Sequence, residues 1–371
     1  MVQVNRQQAI DKLNGIIGEG RGRTMGALAE IKAEFESRED LIVRPTHVDF
    51  EVEGSEVRPV ILRAEDRIRR TDDVAYQLTG HSYGQLLERV KIPKMYADDL
   101  IAKNQQALLR RNLMERFPVI SPEGVMVRHV GDRIKGILST AYKPMDAAPV
   151  FEGFAGEALM RGFVPYRGLN TDMRMALSFI WPQVYEPKAG EFVVYGVQQM
   201  TGDYGGVANS LSLMVLRIWC DNLGVGMDLF RKIHIGKRFG EGNGDGVIEM
   251  SKRTLELDTR TVVSATRDAV KAAFEYFEPL NNAITAAADR EPNLTATMIG
   301  LARKGIRKEV AEQAKKMYEM EMPVEALPQG NSAWRLSNVL SLLAKSSAGD
   351  EKVALEGLAF EALGVPEKLV A

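Results

Sequence analysis

The chain has 371 residues, 45% hydrophobic and 26% charged, with a formal net charge of −2 at pH 7. Its 33 glycines and 15 prolines are near the average share, which excludes collagen-like and low-complexity chains. The balance of 48 basic against 50 acidic residues excludes a histone-like attraction of the whole molecule to nucleic acid. The single cysteine, Cys220, leaves no intrachain disulfide and no zinc site built on two thiolates.

Residues 1–8 contain no apolar run of signal-peptide length. The most apolar stretch, 211–220, contains Arg217 and is too short to span a bilayer. A lone thiol without an export signal predicts a cytoplasmic location and no membrane partner.

Taken in order, Ala9, Leu13, Ile16 and Ile17, then Met25, Leu28, Ile31 and Phe35, predict two short helices. The glycine-rich stretch 18–23 between them reads as a flexible joint. No strand precedes it and no Lys-Ser/Thr follows, as a phosphate loop would require. Residues 47–63 read as a hairpin turning at Gly54-Ser55, and 82–117 as helices broken at Ile92-Pro93. A second hairpin pairs 125–130 with 133–139 around Gly131-Asp132. On its return arm Ile134, Gly136 and Leu138 share one face and Arg133 and Lys135 the other, with Ile137 breaking the alternation.

A helix at 150–161 follows, then strands marked by Met173, Met175, Leu177 and Phe179 and by 192–200. The apolar stretch 207–222 reads as a mostly buried helix, and 223–239 as strand-rich. From about Leu255 helix formers dominate. Val263, Val270 and Phe277, with Thr266, Ala273 and Leu280, fall at heptad spacing, but over too short a run for a free coiled coil. Helices at 306–320, 332–345 and 350–363 complete the chain. These elements predict an α+β fold: a largely antiparallel sheet with interspersed helices, followed by a C-terminal helical region. Three parts are expected: an N-terminal helical segment at 1–40, an α+β core at 41–255 and a helical region at 256–371.

Gly80-His-Ser82-Tyr-Gly84 fits the nucleophile elbow of α/β-hydrolases, with His234 available as a base. The stretch before it lacks the apolar run of a central parallel strand, and no glycine-rich oxyanion segment precedes it. Ser82 with Gln85 also reads as a helix capping box. Residues 240–246 resemble the opening of a calcium loop, through Glu241, Asn243, Asp245 and Gly246. Lys252 stands where the closing carboxylate belongs, so a glycine-rich loop is the better reading. His47, His81, His129 and His234 show no metal-ligand spacing; no metal and no cofactor is expected. Arg217 and Asp221, four apart, predict an ion pair on one helix.

Two stretches are locally basic. Residues 227–239 carry Arg231, Lys232, Lys237 and Arg238 against Asp228 alone, with His234, Phe230 and Phe239 among them. Residues 121–143 carry Arg128, Arg133, Lys135 and Lys143 against Glu123 and Asp132. Cations beside aromatic rings on a sheet are what phosphate contact and base stacking require; the same residues can also form a solvated, ion-paired face.

Four motifs in fixed order carry a resemblance. They are Gln85-Leu-Leu-Glu-Arg-Val-Lys-Ile-Pro93-Lys-Met-Tyr96; the hairpin from Arg128 through Arg133 to Ser139, Tyr142 and Asp146; Gly202-Asp-Tyr-Gly-Gly206 with Arg217, Cys220, Asn222 and the later His234; and Gly330-Asn-Ser-Ala-Trp334-Arg-Leu-Ser-Asn338. Together they resemble the phage/plasmid-like proteins that carry a domain of unknown function. One departure is Leu223, followed by Gly224, where the family has glycine directly after the asparagine; this implies an altered turn. The resemblance implies an intracellular mobile-element protein without established catalysis, accessory to phage or plasmid DNA metabolism. Single-strand annealing proteins, with an antiparallel sheet backed by helices, are an analogy at the level of fold.

The expected function is therefore non-enzymatic nucleic-acid binding, with single-stranded DNA as the partner and a homo-oligomer as the assembly. Arg128, Arg133, Lys135, Arg231, Lys232, His234, Lys237 and Arg238 would track phosphates, and Phe230 or Phe239 would stack on bases. This requires the two basic stretches to share one face. Two other readings stay open: an oligomeric interaction protein of a mobile element without nucleic-acid affinity, and a serine hydrolase using Ser82.

Overall fold

The computed structural model describes residues 5–62, 73–140, 142, 145–218, 222–232, 238–239, 248–249, 251–320, 327–328 and 330–364. The fold is α+β, with mostly antiparallel sheets and a C-terminal helical region. Helix α1 (Arg6–Ser37) opens the chain, with a capping box between Asn5 and Gln8. A small-sheet region follows: β1 (Arg38–Val43), the hairpin β2 (Val48–Glu53) and β3 (Glu56–Ile61), short β4 (Val74–Ala75) and β5 (Gln77–Leu78), and helices α2 (Gly80–Arg89), α3 (Lys94–Ala102) and α4 (Gln106–Ile120). The hairpin β6 (Val125–Val130) and β7 (Arg133–Leu138) completes a sheet in the order β1-β6-β7-β5, parallel only at β5–β7. Phe50, Leu86, Leu113, Phe117, Val127 and Ile137 are among the residues of its core.

Helix α5 (Ala147–Met160) leads into the large antiparallel sheet: β8 (Val164–Asn170), β9 (Met175–Ile180), β10 (Tyr185–Lys188), β11 (Glu191–Thr201), β12 (Asn209–Arg217) and β13 (Asn222–Lys232). Its order is β13-β12-β11-β9-β8, with β10 on β11. The pair β14 (Arg238–Phe239) and β15 (Ile248–Glu249) precedes the helical region of α6 (Lys252–Ala272), α7 (Phe277–Asp289), α8 (Leu294–Arg303), α9 (Lys308–Glu319), α10 (Ala333–Ser346) and α11 (Gly349–Ala362). Helices α8 to α11 share a core of their own, with Leu301, Val310, Leu340 and Leu358 among its residues. Among the described residues, no helix is long and apolar enough to cross a membrane.

The two faces of the large sheet are covered differently, as the period-2 alternation of strands dictates. Val193, Tyr195, Val197, Leu211 and Leu213 face α5, α6 and α7 through Phe154, Val270 and Phe277. The heptad residues of 263–280 are thus a packed arm, with the Tyr195 ring stacked on Phe277 at 5.5 Å. Phe192, Val194, Met214 and Leu216 face the N-terminal half of α1 through Ala9, Leu13 and Ile16. The first core also takes Ala27 and Ile31 of α1 and Phe360 and Leu363 near the C-terminus. Residues from all three expected parts therefore share one core.

Three sequence expectations are corrected. Residues 209–217 form a strand hydrogen-bonded on both sides, to β11 and β13, rather than a helix. Both faces are buried, so the apolar run resembles a buried helix. On β7 a bulge opposite Arg128 and His129 resets the alternation, and Ile134 and Ile137 both enter the small-sheet core.

The third concerns residues 18–23, which lie inside one continuous α1 and not at a joint. Gly20 is there for close packing: a Cβ would stand 2.6 Å from the carbonyl oxygen of Tyr166 on β8. Around Gly18 and Gly22, by contrast, nothing lies within 4 Å. Gly22→Ala should therefore stabilise the protein by up to about 1 kcal/mol through helix propensity. Gly20→Ala should destabilise it, because overpacking costs roughly 1–3 kcal/mol. Urea midpoints of the two variants check this, and equal gains at both positions would disprove the close contact.

Candidate functional site

Two polar constellations stand out from the apolar cores. The first is a buried ionic junction between the small and large sheets. Arg128 on β6 lies opposite Asp40 on β1 and holds it with two hydrogen bonds, 2.7 Å from Nε and 2.8 Å from Nη2. Its Nη1 donates to the carbonyl of Asp203 at 2.9 Å. Gly136, opposite Arg128 on β7, lets the backbone of Tyr204 approach the sheet. Arg38 bonds the carboxylates of Asp203, at 2.7 Å, and Asp146, and covers the Phe35 ring.

Nearby, Glu34 accepts from Tyr204 Oη at 2.7 Å, Lys135 Nζ at 3.0 Å and Asn170 Nδ2 at 3.0 Å. Burial works against the charge of Arg128, but Asp40 and Asp203 more than offset it, and its pKa is raised. Burial pushes the Asp203 carboxyl up to about 6, against the pull of Arg38 and Arg128.

The second constellation is a cleft of about 720 Å³ between the large sheet and α11. Its lining includes Arg174 before β9, Gln198 on β11, Ser212 on β12, Asp228 and Arg231 on β13, and Lys304 after α8. Ser212 and Asp228 lie opposite each other in the ladder, and the hydroxyl donates to the carboxylate at 2.6 Å. Gln198 reaches Ser178 across the β11–β9 pair at 2.9 Å. Lys304 pairs with Glu361 at 2.5 Å, and Arg231 stands 3.8 Å from Asp228. Three cations against two carboxylates give the lining a positive balance that suits an anionic ligand.

Of the ten residues expected to bind nucleic acid, those whose side chains are described, Arg128, Arg133, Lys135 and Arg231, do not share one site. Arg128 is wholly buried and Lys135 nearly so, both within the junction, and their expected contact with phosphates is corrected. Arg133 remains half exposed, 4.0 Å from Asp172. Arg231 is exposed and lines the cleft. Phe230 and Lys232 are backbone positions of β13 opposite Leu211 and Asn209; Arg238 and Phe239 pair with Glu249 and Ile248. His234 and Lys237 lie outside the described residues, as does the glycine-rich loop 240–246. The two basic stretches therefore build no common groove among the described residues. Sequence reasoning missed Arg174 and Lys304, which belong to neither cluster, and it missed Asp203, whose partners lie on other elements.

The remaining motif residues have structural tasks. Ser82 is buried one turn into α2 and donates to the Ile134 carbonyl at 2.7 Å, so it is no exposed nucleophile. The cap is Thr79, whose side chain accepts from the Ser82 amide; Gln85 instead bridges Tyr204 and Ile137. Arg217 pairs with Glu191 on the adjacent strand at 2.6 Å. Glu191 also accepts from Trp334 Nε1 at 3.2 Å, joining α10 to the sheet. Arg335 donates to the backbone carbonyls of Tyr318, Pro328, Met317 and Met320. His81 contacts the Tyr204 carbonyl and His129 that of Gly131. Among the described residues no group of three His, Cys, Asp or Glu side chains is placed to hold a metal.

The junction carries a pH signature. With Asp203 raised from 3.8 to about 6, the folded chain holds this proton more tightly than the unfolded chain. Its contribution favours the fold fully below the unfolded value and is lost as pH rises through about 6. The stability difference between Asp203→Asn and wild type should therefore move in the variant's favour between pH about 4 and about 7. Urea titrations across that range check this, and a constant difference would refute it. In comparison with known proteins, no family model, no curated protein and no solved structure matches this chain.

Proposed function

We propose that this chain is a non-enzymatic nucleic-acid-binding protein that holds a single-stranded segment in the cleft between the large sheet and α11. One observation carries the reading. Arg174, Arg231 and Lys304, from three separate elements, line one cleft together with the amide of Gln198 and the hydroxyl of Ser212. Cations on different elements along one cleft suit contact with more than one phosphate. The three cations outnumber the two carboxylates of the lining, Asp228 and Glu361, the second of which is paired with Lys304. The proposal includes the setting implied by the motif resemblance, an accessory role in phage or plasmid DNA metabolism in the cytoplasm.

Labelled single-stranded oligonucleotides titrated across a salt series test this. Binding should weaken steeply with salt. Arg174→Ala/Arg231→Ala should flatten the log–log slope by roughly 1.4, at about 0.7 per lost single-strand phosphate contact. No binding at low salt, or an unchanged slope in the double variant, would overturn the reading. A defined oligomer without such affinity would instead favour an interaction protein.

A further inference from the structure

A second cavity, of about 220 Å³, lies on the adjacent side of α11. Glu19 and Arg23 come from α1, Tyr166 and Arg167 from β8, Lys345 from α10, and Lys352 and Glu356 from α11. The space far exceeds the roughly 10–15 Å³ that one water needs. Four cations and two carboxylates line it, and both carboxylates are committed. Glu356 is held by the fork of Arg167 at 2.7 and 2.8 Å, while Glu19 pairs with Arg23 at 3.1 Å on the exposed rim. The cavity's own charge is therefore positive, with the part-buried ammonium of Lys352 set four residues from Glu356 on the same helix.

We propose that this cavity binds a phosphate group, carried by a phosphate monoester such as a nucleotide or sugar phosphate, with Lys352 as a principal contact. The charge excess is what a dianion would neutralise, and Lys serves phosphate as a compact point charge. Burial, then Arg167 and Lys345, hold the Lys352 ammonium below the ordinary lysine value, against the pull of Glu356. An anion would relieve that crowding and stabilise the charged form. Occupancy would also bind together α1, β8, α10 and α11, which meet around the cavity. The site is independent of the cleft lined by Arg174 and Arg231.

Calorimetric titration of the full chain with inorganic phosphate, and separately with a nucleoside 5′-monophosphate and a ribose phosphate, tests the proposal. Saturable binding is expected, and Lys352→Met should weaken it roughly tenfold or more, as loss of a charge-assisted contact does. Lys352→Arg should retain most of it. Thermal unfolding gives a second readout: Lys352→Met without ligand should be no less stable than wild type, and should lose the stabilisation by phosphate. Tighter binding of one ester than of inorganic phosphate would identify the attached group. Equal binding by wild type and Lys352→Met, or binding of none of the three ligands, would overturn the proposal. Oligonucleotide affinity in Lys352→Met should stay at the wild-type level, so this site and the cleft can fail separately.

Discussion

Burying a charge is tolerable only where its partners meet it in good hydrogen-bond geometry, and the junction around Arg38, Arg128 and Asp203 imposes that condition on the elements that build it. Its members come from the end of α1, from β1, β6 and β7, from the loop after β11 and from the start of α5. Shifting one of these elements alone would break charged hydrogen bonds in a junction whose centre, Arg128 and Asp203, is buried. Asp203 shows the coupling most clearly. Its side chain takes Arg38 and the amide of Ala147, while its carbonyl takes Arg128. The docking of small sheet on large sheet is thus specified by polar geometry, while the apolar cores on either side supply the bulk of the driving force.

Local pattern made much of the fold legible. The hairpins at 48–61 and 125–138 follow from turn residues flanked by β-formers, and the C-terminal helices from their composition. What failed was wherever a residue's meaning depended on a distant neighbour. The glycines of 18–23 carry no mark that tells a joint from a packing surface; Tyr166 decides it for Gly20. Arg128 and Lys135 look like surface cations until Asp40 and Glu34 are found 88 and 101 residues away. The cleft was half visible, through Arg231, because Arg174 and Lys304 are isolated in sequence and meet it only in the folded chain.

Net charge proves a poor guide to local electrostatics here. The sum near zero includes cations fully neutralised inside, as at Arg128, Arg167 and Arg217. It also includes cavity linings where cations outnumber carboxylates. The interior pairs contribute no long-range field, because each positive charge faces its carboxylate at hydrogen-bond distance. Attraction for an anionic partner comes from the few side chains placed on open walls, and ionic strength acts mainly on those.

The core that gathers Ala27 of α1 with Phe360 of α11 and Leu363 just after it is built from residues far apart in the chain. Helix α1 packs mainly on β8, which begins only at Val164, so this pairing spans much of the chain. Contacts so far apart in sequence carry a large loop-closure cost and slow the approach to the native state. Until β8 is in place the apolar stripe of α1 lacks its main partner, so a folding intermediate without that pairing exposes an aggregation-prone surface.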